Sequence, residues 1–337
     1  MPYYRGEQLS EVYERAARGG YGFVASNTTH PDIMQGLLDG AVTAESDIVL
    51  QIKRDTAEYL GNGDVTAGLE IMAAHVRTLS ESLDVGVFLN VDHVDADDGE
   101  LIEAAIESGH PSSMMIDASE YPFEENVERT AAVVDRIEDR DEDLLVEAEL
   151  GTIAGTESGE TTQDAFYTDP AEAVEFVDRT GCDLLAVSIG TEHGVSAGID
   201  LDLRVDLAAD INAALRQHGF DVPLVVHGSS GLTSEQVSAL METGVCKLNT
   251  NTRYQYEYAR TACEFYHDNA DAIIPPKGVA DDRTTFFADA DWAPDKSRFN
   301  PQVVGRAVRE RIATVHAELA ETSGSAGESL FLESESR

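Results

Sequence analysis

The chain has 337 residues, of which 42% are hydrophobic, and this is enough apolar material for one large globular core. Its formal net charge of −41 makes nucleic acid and anionic membranes poor partners, because both would repel it. Three cysteines without CxxC spacing, and the lack of an apolar segment long enough to cross a bilayer, predict a soluble cytoplasmic protein with reduced thiols.

Short runs rich in Val, Ile and Leu alternate along the chain with segments of helical periodicity. Such runs are typical of strands that are covered on both faces, as in a parallel sheet. We predict eight strands, at 22–27, 47–53, 85–93, 112–119, 144–151, 184–194, 223–231 and 245–252. Helices are predicted between them, for example over 31–44, 98–108, 123–137, 170–180 and 234–243. This order predicts an α/β fold with a single (β/α)8 TIM barrel, since a doubly wound sheet would need a domain break and no linker is present.

Two stretches are longer than a minimal barrel requires. Residues 151–168 follow the fifth strand and are rich in Gly, Thr and Ser, which favours a mobile active-site loop. Residues 270–300 predict an irregular excursion, and an amphipathic helix follows over 301–321. We place the barrel at about 20–270 within one domain of 1–325, with a C-terminal helical extension at 270–323. Residues 324–337 are rich in Ser, Glu and Gly and predict an acidic flexible tail.

Three predicted strands end on a histidine, namely His93, His193 and His227. The carboxyl ends of barrel strands meet on one face, so we expect these imidazoles to converge there. Three imidazoles leave an open coordination position, which is typical of a catalytic metal rather than a structural one. The other histidines are predicted to be structural; they are His30, His75, His110, His218, His267 and His316.

Further polar residues fall on the same predicted face, namely Lys53, Asp92, Asp117, Glu149 and Asn249. Asp92 precedes His93 directly, and neighbours in a regular strand face opposite sides. Both can enter the site only if the backbone turns out of the strand there. Asp117 and Glu149 are candidate oxygen ligands of a second metal position, and the alternative is that they stabilise strand ends.

Two small, polar loops follow strands seven and eight. They are GSSG at 228–231 and NTNT at 249–252. In barrels, these two loops commonly hold a phosphate through backbone amides and a helix N-terminus. The alternative is a pair of ordinary strand-to-helix turns with good N-caps.

Seven runs together resemble the class II, metal-dependent fructose-1,6-bisphosphate aldolases. They are NVDH (90–93), MIDASE (115–120), EAELG (147–151), YTDP (167–170), HGV (193–195), HGSSG (227–231) and KLNTNT (247–252). The resemblance implies a lyase of glycolysis and gluconeogenesis that reversibly cleaves fructose 1,6-bisphosphate to dihydroxyacetone phosphate and glyceraldehyde 3-phosphate. Tagatose bisphosphate or another ketose bisphosphate is the alternative substrate, because fructose and tagatose differ at one hydroxyl.

The resemblance also implies roles for individual residues. The catalytic metal would be bound by His93, His193 and His227, and a second metal position would be formed by Asp117 and Glu149. Asp92 would be the acid/base at the C4 hydroxyl. Glu157, which on sequence alone is an ordinary solvated glutamate, would move the proton at the ketone's α-carbon. The ketose phosphate would contact Gly194, Gly228, Ser229, Ser230, Asn249, Thr250, Asn251 and Thr252.

The donor set suits Zn²⁺ first, with Fe²⁺, Mn²⁺ and Co²⁺ as alternatives. The family also implies a monovalent cation and a homo-oligomer, a dimer or larger.

Several positions depart from the family pattern. Ser196 and Ala197 stand where many members carry Tyr-Lys, so a phosphate-binding lysine is missing. We therefore hypothesise that Lys53, one of only four lysines, supplies the positive charge for phosphate, the alternative being a solvated lysine.

Two other enzyme classes remain open at this point. Lys247 on the predicted eighth strand could form a Schiff base with a ketose, as in metal-independent lyases. A metal-dependent barrel hydrolase would instead activate water, but such enzymes usually carry an HxH pair on the first strand, which is absent here.

The acidic residues are spread through patterned helices instead of one tail. We interpret this distribution as adaptation to high intracellular salt, where screening shortens the reach of the repulsion. The protein is thus expected to be a halophilic member of its family.

Overall fold

The computed structural model of the chain describes residues 3–140, 143–151, 167–192 and 202–330. Eight parallel strands form a closed barrel in chain order, and the last strand pairs back to the first. The strands are β1 (Phe23–Asn27), β2 (Ile48–Ile52), β3 (Val87–Asp95), β4 (Ser113–Asp117), β5 (Leu145–Leu150), β6 (Leu184–Val187), β7 (Leu224–Val226) and β8 (Val245–Thr250). Each lies within or close to a predicted apolar run, so the (β/α)8 prediction is confirmed.

Helices cover the outside and the amino-terminal end of the barrel. They are α1 (Gly6–Gly19), α2 (Pro31–Ala44), α3 (Arg54–Leu60), α4 (Val65–Ser80), α5 (Gly99–Ser108), α6 (Phe123–Glu138), α7 (Pro170–Thr180), α8 (Val205–Gln217), α9 (Ser234–Met241), α10 (Thr252–Asp268), α11 (Lys296–Phe299) and α12 (Pro301–Ser323). Side chains such as Asp98, Asp169 and Thr233 accept hydrogen bonds from first-turn amides and so fix where helices begin. In the described part of the chain, every helix is too short or too polar to span a membrane.

Helix α1 closes the amino-terminal end of the barrel. Its buried residues Leu9 and Tyr13 belong to one apolar cluster with Phe23, Leu145 and Leu184, which begin strands β1, β5 and β6. Two larger apolar clusters lie between the strands and the surrounding helices. Because α1 and its apolar cluster fill the amino-terminal end, the open face of the barrel is the one formed by the carboxyl ends of the strands.

The C-terminal extension packs along α2. A Cβ on Gly40 would lie 2.6 Å from the carbonyl oxygen of Ala313 in α12, so only glycine permits this close approach. Beyond α12, Ser325 and Ser329 are buried, and the Ser329 hydroxyl and the Leu330 amide donate to the carboxylate of Asp47. The prediction of a flexible tail from residue 324 is therefore wrong for 324–330, because these residues pack against the start of β2; residues 331–337 lie outside the described residues.

Candidate active site and metal centre

The backbone of β3 bends where Asp92 meets His93. The pairing of β3 with β4 shifts register between Val91 and Val94, and His93 adopts φ = 49°. A left-handed conformation costs a non-glycine residue on the order of 1–3 kcal/mol, so the surrounding structure must hold it in place. The bend turns both the Asp92 carboxylate and the His93 imidazole towards the interior, as the sequence required for a shared site.

His93 and His227 face each other across this site. Nε2 of His93 lies 3.1 Å from Nδ1 of His227, and the ring planes are nearly perpendicular, at 78°. The other nitrogen of each ring contacts a carboxylate: His93 Nδ1 lies 3.0 Å from Asp117, and His227 Nε2 lies 2.9 Å from Glu147. If both outer nitrogens carry hydrogens, the inner nitrogens present two facing lone pairs, and the Asn249 side-chain amide, 3.2 Å from His227 Nδ1, or a cation could bind there.

Asp92 is held by three amide side chains. Asn27 from β1, Gln51 from β2 and Asn249 from β8 each donate to its carboxylate at 3.0 Å. Lys53 Nζ lies 3.9 Å away. Burial raises the pKa of Asp92, but the positive charges around it, of which His93 and Lys53 contribute most, outweigh burial and hold the pKa well below its usual range. Asp92 is therefore held in one orientation, and its surroundings favour the carboxylate form.

Asp117 and Glu149 lie close to His93, but their pKa values are shifted in opposite directions. Burial opposes ionisation of Asp117, yet hydrogen bonds from His93 and Ser119 keep its pKa below its usual range. Burial and the neighbouring charge of Asp117 raise the pKa of Glu149 well above its usual range. Among the described residues, Glu149 Oε2 is buried without a hydrogen-bond partner.

The donor atoms of this region fit a divalent cation. The groups Asp92, His93, His227 and His93, Asp117, Glu149 each bring three ligand atoms within 4.8 Å of one another. Nitrogen and carboxylate oxygen donors suit zinc and related divalent metals. A cation here would satisfy the orphaned oxygen of Glu149 and offset the repulsion that raises its pKa.

Glu147 is a site residue that sequence analysis did not single out. Its carboxylate contacts His227 through one oxygen and forms an ion pair with Lys247 through the other. Lys247 is completely buried in the barrel interior, and its amine donates to the Glu147 carboxylate. The amine is therefore not exposed to a substrate that enters from solvent. This placement argues against the Schiff-base alternative. The i, i+2 spacing of Glu147 and Glu149 was the available signal that both face inward.

The loops after β7 and β8 are tied together. The Ser229 hydroxyl donates to the carbonyl of Asn249 at 2.9 Å and lies 3.0 Å from the Thr250 hydroxyl. Gly228 has φ = 68°, and a Cβ there would lie 2.5 Å from the carbonyl oxygen of Glu192. Ser230, Asn251 and Thr252 are half-buried around this turn and the start of α10. The proposed phosphate contacts of these two loops thus lie in one place, and their binding role stays a prediction.

Lys53 stands at the N-cap of α3, next to Asp92. Its side chain is 23% exposed, so the ammonium is neither free in solvent nor fully buried.

The predicted residues Glu157, His193 and Gly194 lie outside the described residues, as do Ser196 and Ala197. The structural histidines behave as predicted where their partners are known: His316 is buried against the Tyr254 hydroxyl, and His30 caps α2.

Known proteins show the same fold and sequence pattern. The chain is 31% identical to the fructose-bisphosphate aldolase of Geobacillus stearothermophilus over 288 residues, covering 83% of this chain and 92% of that one. It is 35% identical to the D-tagatose-1,6-bisphosphate aldolase subunit GatY of Klebsiella oxytoca over 265 residues, covering 77% and 86%. A crystal structure of fructose-bisphosphate aldolase from Campylobacter jejuni matches with a TM-score of 0.81 at 23% identity and covers 96% of each chain, which supports the fold.

The family model described as class II fructose-bisphosphate aldolase matches residues 7–328, nearly the whole chain. Two relatives above 30% identity, each covering more than two thirds of this chain, agree with this match. The chain therefore belongs to the class II fructose-bisphosphate aldolases, and it is an aldehyde-lyase.

Proposed function

We propose that this enzyme cleaves fructose 1,6-bisphosphate reversibly into dihydroxyacetone phosphate and glyceraldehyde 3-phosphate, using a divalent metal. The observation that carries the proposal is the meeting of His93 and His227 beside an ionised, amide-held Asp92. A deprotonated base next to a cation site is the pairing that aldol cleavage needs. The named activity of the Geobacillus stearothermophilus relative supports this substrate.

His93 and His227, with His193 from outside the described residues, would hold the catalytic metal, and Asp117 and Glu149 would form a second position. Zn²⁺ is the first candidate, because imidazole and carboxylate donors suit it, and Fe²⁺, Mn²⁺ and Co²⁺ are alternatives. A monovalent cation near the phosphate is a further expectation from the family. When bound, the divalent metal would supply a Lewis acid for the ketone carbonyl.

Asp92 would carry out the proton transfer at C4. As the C3–C4 bond breaks, the carboxylate accepts the proton of the C4 hydroxyl, and C4 becomes the aldehyde carbon of glyceraldehyde 3-phosphate. The bonding electrons stay with the ketone fragment, and Glu157 would return a proton to C3 to give dihydroxyacetone phosphate. The three amides that donate to Asp92 fix its orientation for this step.

The phosphate groups would be held at two places. One is the tied pair of loops after β7 and β8, through backbone amides and the N-terminus of α10. It would include Gly228, Ser229, Ser230, Asn249, Thr250, Asn251 and Thr252, and the family resemblance adds Gly194, which follows β6 in the sequence. The second is Lys53, which would supply a positive charge in place of the missing lysine. Its ammonium lies 3.9 Å from the Asp92 carboxylate, which supports a place for its charge within the substrate-binding region.

Tagatose 1,6-bisphosphate is the second candidate substrate. The 35% identity to a protein named as a tagatose-bisphosphate aldolase subunit favours it as an alternative. The two sugars differ in configuration at C4, the carbon whose hydroxyl Asp92 would contact. Selection between them would therefore occur around Asp92 and Lys53.

The cellular setting is also part of the proposal. The net charge of −41 supports adaptation to high salt, where screening weakens the repulsion between surface acids. Three free cysteines support a cytoplasmic location, where thiols stay reduced. A homo-oligomer, a dimer or larger, is proposed by analogy with the family.

One experiment tests the core of this proposal. The purified protein is stripped with a chelator, divided into portions that receive Zn²⁺, Fe²⁺, Mn²⁺ or Co²⁺, and assayed with fructose and tagatose bisphosphates side by side. We expect activity to disappear on stripping, to return with metal and to be greater with fructose bisphosphate. Cleavage that survives complete metal removal would overturn the metal-dependent mechanism.

A further inference from the structure

An ion pair lies inside the barrel, next to the metal site. Glu147 on β5 and Lys247 on β8 are 1% and 0% exposed, and their side chains bridge the interior. His227, at the end of β7 between these strands, contacts the same carboxylate. Neither member of the pair faces the open end of the barrel, so neither is placed to touch substrate.

Stability alone does not explain this pair. Burying two charges carries a desolvation cost that their attraction only partly offsets, and apolar residues of similar size are often as stable or more so. We therefore ask how the Glu147–Lys247 pair affects His227, the residue that Glu147 also contacts. Glu147 divides its two oxygens, with Oε1 at 2.9 Å from His227 Nε2 and Oε2 on Lys247 Nζ.

The contact with Glu147 selects one form of the His227 ring. A carboxylate oxygen accepts a hydrogen bond from Nε2 only when Nε2 carries the hydrogen. In neutral imidazole the lone pair is then on Nδ1, which lies 3.1 Å from His93 Nε2 and 3.2 Å from the side-chain amide of Asn249, a donor that suits a lone pair at this nitrogen. Lys247 holds the second oxygen of Glu147, so the carboxylate presents Oε1 to the ring in one orientation.

We infer that Glu147, oriented by Lys247, is a positioning residue that fixes the tautomer of His227 and directs its Nδ1 to the catalytic metal. The inference rests on the proposed function, because His227 is a ligand only if the metal binds there. Carboxylate partners of metal-bound histidines act in this way, and their loss typically weakens metal binding about 10- to 100-fold.

Two double variants separate positioning from packing. Glu147→Leu/Lys247→Met removes both charges and also the acceptor for Nε2–H. Glu147→Gln/Lys247→Met removes both charges but keeps a carbonyl oxygen as acceptor. A matched control is Glu257→Gln/Arg311→Met, which removes the ion pair between α10 and α12, outside the proposed site.

The readouts are the Zn²⁺ dissociation constant from chelator competition, the absorption spectrum with Co²⁺, and the melting temperature of the metal-free protein. We expect Glu147→Leu/Lys247→Met to bind Zn²⁺ about 10- to 100-fold more weakly with an altered Co²⁺ spectrum. The variant with Gln should regain most of the affinity, and the Glu257/Arg311 control should change only the melting temperature. Equal Zn²⁺ affinity in the Leu and Gln variants would overturn the inference.

A second measurement does not depend on the variants folding. Nitrogen NMR of ¹⁵N-histidine in the Zn²⁺-loaded parent protein identifies which nitrogen of His227 carries hydrogen. Hydrogen on Nε2 and metal on Nδ1 is the expected result, and the reverse assignment overturns the inference. A parent protein that binds no metal at all would instead contradict the proposed function.

Discussion

Asp92 and His93 are adjacent in sequence, yet both side chains enter the barrel because β3 shifts register against β4 and His93 adopts a left-handed backbone. A regular strand would send one of them into the surrounding helices. The bend therefore joins the proposed base and a proposed metal ligand into one unit. Predictions about either residue must be tested with the other kept intact.

Replacing His93, His193 or His227 by alanine should abolish cleavage and lower the metal content. Each change removes one imidazole from a site where the described pair lies 3.1 Å apart, and the remaining donors bind a divalent ion less tightly. Metal analysis of the purified variants and the cleavage assay check this. His75→Ala is the control on a helix, and it should retain metal and activity. A histidine variant with full metal and turnover would remove that residue from the site.

Asp92→Asn should keep the metal and the fold but lower the cleavage rate by roughly two to four orders of magnitude. The side chain keeps its size, but an amide cannot accept the C4 proton. It also presents an NH₂ group to donors such as Asn27 and Gln51. The turnover number and metal content are measured together. Near-normal cleavage would show that Asp92 only supports the structure.

Lys53→Met should raise the Michaelis constant for the bisphosphate without changing metal content or folding. The variant keeps the aliphatic stem and removes the charge that we propose for phosphate. Lys277→Met, at an exposed position in the excursion, is the matched control for loss of one lysine. Both variants are assayed over a range of salt concentrations. If Lys53→Met binds substrate as well as the parent at all of them, the phosphate is held by other groups.

Removing salt should unfold or inactivate the protein. In dilute buffer the repulsion within a net charge of −41 reaches about 30 Å, compared with about 3 Å at 1 M salt. Circular dichroism and cleavage activity are followed during dialysis from concentrated potassium chloride, with sucrose as an uncharged control for water activity. Full structure and activity in dilute buffer would contradict the interpretation as a halophile.

Acid should destabilise the protein in part through His316. Burial lowers the pKa of this histidine to about 4, below the value of about 6.5 for an unfolded histidine. Because the unfolded state binds the proton first, the free energy of unfolding falls as the pH decreases from 6.5 to 4, by at most about 3 kcal/mol from this group. Urea unfolding of metal-free parent and His316→Gln at pH 6.5 and 4.5 measures the difference. An equal loss in both proteins would assign the acid sensitivity to other groups.

The sequence was sufficient to predict the barrel, and it also predicted that Asp92, His93, Asp117, Glu149 and His227 would lie close together. Strands that are buried on both faces leave unbroken apolar runs, so all eight begin within two residues of their predicted starts, whereas β6 and β7 end seven and five residues before their predicted ends. The interior partnership of Glu147 and Lys247 was missed, because a pair 100 positions apart leaves no local pattern. The packing of residues 324–330 was also missed. Their composition of Ser, Gly and Glu is typical of a solvated tail, and only the fold shows that Ser329 and Leu330 donate hydrogen bonds to the buried Asp47.

The bond between Ser329 and Asp47 joins positions 282 residues apart. During synthesis, the Asp47 carboxylate at the start of β2 therefore lacks this hydrogen bond until nearly the whole chain has been made. Contacts of such long sequence separation slow folding, because the entropy of loop closure is lost before the contact forms. Residues 324–330 are therefore expected to pack late in folding, and a chain that ends before Ser329 should be less stable, because Asp47 then loses the donors of Ser329 and Leu330.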